Sequence, residues 1–433
     1  MEKRLYPDLG EAVVWDTLPN GLTVAVVPKP GFRKKLCYFV TDFGAIHREF
    51  TLDGQAFTVP AGVAHYLEHK LFDMPDRDVS GEFAALGAMP NAFTGYDMTA
   101  YYFSCTDNFD RCLALLLEFV STPYFTRESV EKEQGIIAQE IDMNADNPDT
   151  QIFEQLMQAM YRDHPVNVPI LGTRESISQI TPDTLHLCHK AFYRPDNMLL
   201  CVVGDVDPAQ VREIALRQLP AASGPKPEMR RCWQEEMTCQ APAVRRAMTV
   251  SMPMFQLGFK CEPADRGVEA VRREIVGDLA AEALFGESSA LYLRLYEQGL
   301  IDSSFGGGFE TVEGMAMLTA SGDSDDPEAV RDAILEEADR LCRQGIGEKA
   351  LLRMKRSALG RRIRGLDSFD STCFRICAYY FSGFDYFAFP EVYRNVTEKE
   401  LLDFLRSTVT RARMSLSVIF PDEEDEACAM ILP

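Results

Sequence analysis

The chain has 433 residues, of which 46 % are apolar, and a formal net charge of −22 at pH 7. This length is enough for an ample core in roughly two to four domains. So large an acidic excess repels nucleic-acid phosphates and anionic lipids, so we expect neither a nucleic acid nor a membrane as a partner. The sequence has no apolar run of about 18 residues and no apolar stretch at its start, which argues against a transmembrane helix and a signal peptide.

The 12 cysteines are scattered along the chain without C-x-x-C spacing. Cys373 and Cys377 lie four residues apart on a predicted helix, but no histidine is near them in the sequence. In a chain without an export signal this pattern indicates buried free thiols rather than a disulfide framework. We therefore expect a cytoplasmic protein.

The first half of the chain mixes predicted strands with predicted helices. Apolar runs predict strands at 22–28, 36–43, 100–105 and 198–203. A period of 3.6 residues predicts helices at about 62–72, 108–121, 128–144, 150–161 and 181–191. Strands mixed in this way with helices indicate an α+β arrangement.

A Pro/Gly/Ser-rich break at 221–227 precedes a second half of similar organisation. Strands are predicted at 250–259, 315–321 and 414–419, and helices at 267–285, 327–343, 348–364, 370–382 and 397–408. We therefore predict two tandem homologous α+β domains, each an antiparallel sheet with helices packed on one face. The predicted domains are 1–220 and 228–433, joined by the linker 221–227.

His65, Glu68 and His69 form an H-x-x-E-H pattern, the reverse of the zincin H-E-x-x-H and known as the inverzincin signature. On a helix these positions share one face, so two imidazoles can hold one metal ion beside a carboxylate. Imidazole and carboxylate ligands suit zinc. The alternative is a polar helix face with satisfied histidines. An apolar stripe on a separate face argues against it, formed by Val63, Leu67 and Leu71.

A catalytic zinc site needs a third protein ligand. The segment 126–143 is typical of a helix and carries Glu133 and Glu140 seven residues apart, on one face. For Glu128 and Glu131, in its first turns, a solvated charge is the simpler interpretation. All six histidines lie at or before position 189, so the second half cannot build an equivalent site.

The motif and the segment that follows it resemble the pitrilysin/insulinase family of zinc metallopeptidases, which includes the mitochondrial processing peptidases. In that family H-x-x-E-H precedes, by some seventy residues, a segment like the one at 131–141 here. The resemblance covers most of residues 15–210 and is looser in the second half. It implies zinc bound by His65, His69 and Glu140. It also implies two catalytic carboxylates, Glu68 as the general base and Glu133 orienting a ligand histidine from outside the ligand shell.

The same resemblance implies how substrate binds. An edge strand would pair with an extended peptide through the main chain, at Asn91, Ala92, Phe93 and Thr94. The expected substrates are unfolded peptides or leader segments, cleaved by an endopeptidase inside a closed chamber. Long family members enclose that chamber with four domains, so a chain of this length is half of such a clamshell. The chain thus resembles the short, bacterial, processing-peptidase-like branch of the family. A dimer is therefore expected.

One departure from the family bears on the partner. Family active sites are completed by an Arg and a Tyr from the second-half domain, yet the matching segment 314–326 contains neither. Tyr292 or Arg294 would be possible substitutes. Otherwise a related chain without the zinc motif would supply the pair in a heterodimer. The alternative function is a non-catalytic or weakly active zinc-binding subunit of a heteromeric assembly.

Overall fold

The structure is a computed structural model that describes residues 1–75, 77–221, 224–264 and 266–422. The strands of this part of the chain are β1 (Glu2–Tyr6), β2 (Glu11–Thr17), β3 (Thr23–Pro28), β4 (Lys35–Thr41), β5 (Glu49–Leu52), β6 (Gln55–Thr58), β7 (Asp73–Met74), β8 (Arg77–Asp78), β9 (Ala88–Thr94), β10 (Thr99–Cys105), β11 (Met198–Gly204), β12 (Glu228–Met229), β13 (Ala243–Met248), β14 (Met254–Cys261), β15 (Gly306–Val312), β16 (Met315–Asp323) and β17 (Met414–Pro421).

The helices are α1 (Val63–Leu71), α2 (Val79–Ala85), α3 (Phe109–Ser121), α4 (Arg127–Ala145), α5 (Pro148–Met160), α6 (Arg174–Ile177), α7 (Pro182–Phe192), α8 (Pro208–Gln218), α9 (Val268–Phe285), α10 (Ala290–Glu297), α11 (Pro327–Gln344), α12 (Glu348–Arg364), α13 (Phe369–Phe381), α14 (Phe389–Asn395) and α15 (Glu398–Thr408). No helix in the described residues combines the length and apolar composition needed to cross a bilayer.

The first compact unit consists of Met1–Ile141, Pro169–Arg231 and Arg362–Ala388. Its main sheet has seven strands in the order β1-β2-β3-β11-β4-β10-β9, so β9 lies at an edge. Neighbouring strands run antiparallel except β3 and β11, which are parallel. Helices α1 and α3 pack against β10, and α13 packs against β4 and β11. This unit contains every residue of the predicted site.

The second compact unit consists of Asp142–Val168, Cys232–Arg361 and the described part of 389–433. Its sheet has five strands in the order β13-β17-β14-β16-β15, so β15 lies at an edge. Here too one pair is parallel, β13 with β17, and the others are antiparallel. Helices α9, α11 and α15 pack against this sheet, and α5 contacts β13, β14 and β17.

The two sheets share one topology. The strand order β3-β11-β4-β10-β9 of the first sheet corresponds, strand by strand and direction by direction, to β13-β17-β14-β16-β15 of the second. The zinc-motif helix α1 lies between β4 and β9 in the sequence, as α9 lies between β14 and β15. The chain is therefore built of two homologous α+β halves, as predicted.

The helix arrangement goes beyond the prediction of helices on one face of each sheet. In the first unit α13, from the second half of the sequence, packs on β11, where all seven residues are buried. A strand that is apolar on both faces needs cover on both, and α13 provides the second layer. In the second unit α5, from the first half, contacts the sheet in the same way.

The compact units consequently exchange segments relative to the linear stretches 1–220 and 228–433. The predicted limits divide the chain by its position in the sequence. Each compact unit, in contrast, also includes a helix from the other half that packs on its sheet. The domain limits at 220 and 228 stay a prediction. Two residues of the predicted linker, 222 and 223, lie outside the described part of the chain.

Candidate metal centre

Helix α1 presents the H-x-x-E-H pattern, and a glycine determines how the chain enters it. Gly62 is the N-cap residue with a φ of 88°, and a Cβ there would lie 2.3 Å from the carbonyl oxygen of Leu171. Only glycine allows both this left-handed backbone and this close approach. The apolar face of the helix is buried in the core, through Val63, Leu67 and Leu71.

Helix α4 is fixed beside α1 by a buried hydrogen bond. The Tyr66 hydroxyl donates to the carbonyl oxygen of Val130 at 2.5 Å, and the Tyr66 side chain is fully buried. Val130 and Ile137 pack into the same core as α1. Because Glu133 and Glu140 lie two turns apart on α4, this packing brings both carboxylates to the histidines of α1.

His65, His69 and Glu140 converge on one point. Their ligand atoms all lie within 4.8 Å of one another. The Nε2 of His65 is 3.7 Å from one Glu140 oxygen, and the Nε2 of His69 is 3.6 Å from the other. In a tetrahedral zinc site with bonds of about 2.1 Å, neighbouring ligand atoms are about 3.4 Å apart. The three side chains therefore fit a zinc ion between them and leave a fourth position for water or substrate.

Glu133 contacts the outer nitrogen of one histidine. Its Oε1 lies 2.9 Å from the Nδ1 of His69. This hydrogen bond is the main reason why the pKa of His69 is raised above its ordinary value. Burial acts in the other direction and opposes the shift. A proton held on Nδ1 leaves the lone pair on Nε2, the atom that faces Glu140. The chemistry of this donor set is that of an oriented metal ligand.

His65 is held in the neutral form that a metal ligand requires. Its side chain is buried, and burial, followed by the neighbouring His69, lowers its pKa to about 3. Its Nδ1 is buried and has no hydrogen-bond partner among the described residues. A neutral imidazole keeps one ring nitrogen with a free lone pair, so near pH 7 a second proton does not compete with a cation for that nitrogen.

Glu68 stands beside the three convergent groups and has a different partner. Its Oε2 accepts a hydrogen bond of 2.6 Å from the Thr94 hydroxyl, at the end of β9. Burial raises the pKa of the Glu68 carboxyl, and the bond from Thr94 opposes that shift. A carboxyl whose pKa moves toward neutrality is suited to accept and return a proton. Sequence reasoning placed Thr94 with the substrate and missed this contact.

Asn91, Ala92 and Phe93 lie on the edge strand β9, as predicted for a peptide-binding strand. The N–H of Ala92 donates to the side-chain oxygen of Asn91 at 2.8 Å. Phe93 points to the sheet face opposite Thr94, and its ring packs with those of Tyr38 and Tyr102. The strand thus has one face toward the metal centre and one aromatic face.

Comparisons with known proteins identify the family of this chain. Two family models match the chain, "Insulinase (Peptidase family M16)" at residues 58–174 and "Peptidase M16 inactive domain" at 179–358. A Bacillus subtilis (strain 168) protein named "Uncharacterized zinc protease YmfH" is 37 % identical over 96 % of this chain and 98 % of its own. The chain belongs to the insulinase (M16) family. A second relative in that organism, "Uncharacterized zinc protease YmxG", is 26 % identical over 82 % of this chain and 85 % of its own.

Solved structures share this fold over nearly the whole of the present chain. A putative M16-like peptidase from Alicyclobacillus acidocaldarius has a TM-score of 0.91 at 31 % identity and covers 95 % of this chain and 99 % of its own. Pitrilysin has a TM-score of 0.76 at 16 % identity and covers 98 % of this chain but 45 % of its own. This M16 chain therefore has the two-domain fold of the family and spans about half the length of pitrilysin.

Proposed function

We propose that this chain is a zinc-dependent endopeptidase that cleaves unfolded peptides or leader segments. The observation that carries the proposal is the convergence of His65, His69 and Glu140 with the ligand spacing of zinc, next to a carboxylate that is not a ligand. The names of the relatives point to the same class of enzyme.

Each side chain has a separate task in this proposal. Zinc, when bound, would supply a Lewis acid for the scissile carbonyl and a lowered pKa for water. Glu68 accepts the proton of the attacking water and returns it to the leaving amine. Thr94 holds the Glu68 carboxylate in place through its hydroxyl. Glu133 keeps the proton of His69 on Nδ1, away from the metal-binding atom.

The proposed substrate adds a strand to β9. An edge strand offers unpaired main-chain groups, so an extended peptide binds through its backbone and with little demand on its side chains. Folded proteins cannot offer such a strand, which is why the proposal names unfolded segments. The peptide would displace the Asn91 side chain from the Ala92 N–H and take that amide itself.

Assembly and location are also part of the proposal. Relatives twice as long, such as pitrilysin, suggest that two chains of this length act together as a dimer. The absence of Arg and Tyr from 314–326 favours a heterodimer with a related chain that lacks the zinc motif. A cytoplasmic location is part of the proposal and is supported by the free cysteines of the described residues. The alternative is a non-catalytic or weakly active zinc-binding subunit of a heteromeric assembly, and the name "inactive domain" for the family model at 179–358 is consistent with it.

The test is a cleavage assay on the purified chain. The protein is incubated with a mixed peptide library under three conditions: untreated, with chelator, and with chelator followed by added zinc. The products are identified by mass spectrometry. The proposal expects cleavage that chelator abolishes, zinc restores and the variant Glu68→Gln lacks. Zinc bound at one per chain without cleavage, alone or with a co-purified sister chain, would favour the non-catalytic alternative.

A further inference from the structure

Helix α10 of the second unit turns an apolar face to solvent. Leu293 is 52 % exposed and Tyr296 is 54 % exposed. The two residues are three apart on the helix, so they are neighbours on one face. The other face of α10 is buried through Leu291 and Leu295. We call Leu293 and Tyr296 the α10 patch. An exposed apolar patch on a packed helix is a surface that a further apolar segment can cover.

A row of aromatic rings connects the α10 patch with the end of the second sheet. Phe255 on β14 is the cross-strand partner of Val418 on β17. The ring of Phe255 lies 6.3 Å from that of Phe305, which lies 6.1 Å from that of Tyr292 on α10. Tyr292 stacks on Tyr296 with ring centroids 5.9 Å apart. Three ring contacts therefore lead from the neighbour of β17 to the patch.

The chain leaves β17 on the same side of the sheet. Phe420 is 37 % exposed and comes two residues after Val418, so it points to the face on which Val418 and Phe255 lie. The described part of the chain continues to Asp422. Residues 423–433, which lie outside it, read Glu-Glu-Asp-Glu-Ala-Cys-Ala-Met-Ile-Leu-Pro. An acidic stretch is thus followed by an uncharged, apolar one.

We propose that the apolar residues 427–432 bind the α10 patch of the same chain. They follow Asp422 by five to ten residues, an extended length of roughly 17–36 Å, which is enough to pass three ring contacts. Their Met, Ile and Leu side chains can cover Leu293 and Tyr296. A segment tethered to the same chain has an effective concentration on the order of millimolar, so modest apolar contact is sufficient.

Charge opposes this docking, so apolar contact has to drive it. Asp323 lies at the end of the sheet from which the chain leaves: its cross-strand partner Met254 also pairs with Ile419 of β17. Burial, and after it neighbouring carboxylates that include Asp302, raise the pKa of Asp323. The acidic residues 422–426 therefore start from a surface of like charge, and salt screens that repulsion. Added salt should strengthen the docking.

The test is disulfide trapping in the full chain, since Cys428 lies within the proposed segment. Glu297→Cys places a thiol beside the patch, at an exposed position of α10. Under oxidised glutathione we expect an intrachain disulfide between this thiol and Cys428, identified by peptide mass spectrometry and formed at a rate independent of protein concentration. Changing Met430, Ile431 and Leu432 to Ser should slow the cross-link by about 10-fold, because the apolar contact is lost.

Two controls separate docking from the random reach of the segment. Glu391→Cys makes the same change of charge at an exposed position of α14 in the same unit, and its cross-linking to Cys428 should not respond to the Ser changes. Leu293→Ser combined with Tyr296→Ser, in the Glu297→Cys chain, should slow the cross-link as much as the Ser changes in the segment do. Both residues are exposed, so the fold should be retained, which a thermal unfolding midpoint checks. Equal rates with and without either set of changes overturn the proposal.

Two further outcomes would assign the patch or the segment to a different partner. A disulfide that joins two chains, seen as a doubled mass on a non-reducing gel, would make the α10 patch an interface with a second copy and overturn docking within one chain. A cross-linking rate that falls as salt rises from about 50 to about 500 mM would show that charge holds the segment. Exposed cations of α12 would then be its site, at Lys349, Arg353 and Arg356, and the α10 proposal would be wrong.

Discussion

Corresponding corners of the two sheets have opposite chemistry. In the first unit, α1 meets the edge strand β9 through a polar contact, the hydrogen bond from Thr94 to Glu68. In the second, α9 meets the edge strand β15 through Gly277, where a Cβ would lie 2.3 Å from the ring of Phe309. Corresponding places in the two sheets therefore differ. The α1–β9 corner is polar and not fully hydrogen-bonded, whereas the α9–β15 corner is apolar and closely packed.

The histidines of the two units show the same contrast, between a candidate metal site and a structural hydrogen-bond network. His164, which belongs to the second unit, is buried, but both ring nitrogens are engaged: Nε2 with the Glu313 carbonyl at 2.8 Å and Nδ1 with the Val166 N–H at 3.1 Å. His65 and His69 instead direct Nε2 atoms toward a shared carboxylate at 3.6–3.7 Å, beyond hydrogen-bond distance. The candidate metal centre is therefore distinguished less by residue type than by ring nitrogens that face a carboxylate without hydrogen bonding to it.

The largest expected effect comes from removing the proposed base, Glu68, at the polar corner. Glu68→Gln keeps the size of the side chain but not its ability to accept a proton, so kcat should fall by about two to four orders of magnitude. Zinc content, measured by plasma mass spectrometry, should remain at the wild-type value because Glu68 is not among the convergent ligands. Turnover close to wild type would show that the polar corner does not contain the base.

The second prediction separates the two glutamates of α4. Glu140→Gln should reduce zinc affinity most, since it removes a charged member of the convergent set. Glu133→Gln keeps a group that can accept from His69 and should cost on the order of 10- to 100-fold in zinc affinity at most. Competition with a fluorescent chelator measures both. Normal zinc binding in Glu140→Gln together with loss in Glu133→Gln would reverse the two assignments.

The third prediction tests the contact that joins helix and edge strand. Thr94→Val removes the hydroxyl with little change of shape, so Glu68 loses a charge-assisted hydrogen bond and kcat should fall on the order of 10-fold. KM and zinc content should change little, and Thr94→Ser should restore kcat. A rise in KM with normal kcat would instead mean that Thr94 serves the substrate, as the sequence suggested.

The sequence allowed prediction of features whose signal is local. The spacing of His65, Glu68 and His69 predicts a shared helix face, and α1 has it. The apolar runs at 22–28 and 36–43 correspond to β3 and β4. The glycine run at 306–308 gave no strand signal, yet these residues begin β15, because pairing with β16 supplies the order that their side chains cannot.

Features that depend on distant packing could not be predicted. The contact of Thr94 with Glu68 requires knowledge of which strand lies over α1, and no spacing in the sequence contains that information. The positions of α5 and α13 depend on which sheet has an uncovered apolar face, which the amphipathicity of either helix does not reveal. The packing of Phe374 against Phe93 was missed for the same reason, since Phe374 reaches β9 from a helix more than 250 residues away in the sequence.

The last prediction concerns the filled corner, where the expected effect is on stability alone. Gly277→Ala inserts a methyl group against the Phe309 ring and should lower the free energy of unfolding by about 1–3 kcal/mol, as overpacking does. Gly360→Ala is the matched control in α12, because nothing lies within 4 Å of its Cβ and the helix should gain up to about 1 kcal/mol. Urea unfolding measures both, with zinc affinity and kcat as further readouts. If the second unit is architectural at this corner, Gly277→Ala changes stability but not catalysis. A fall in kcat at unchanged zinc content would contradict this and would mean that the α9–β15 corner takes part in the reaction.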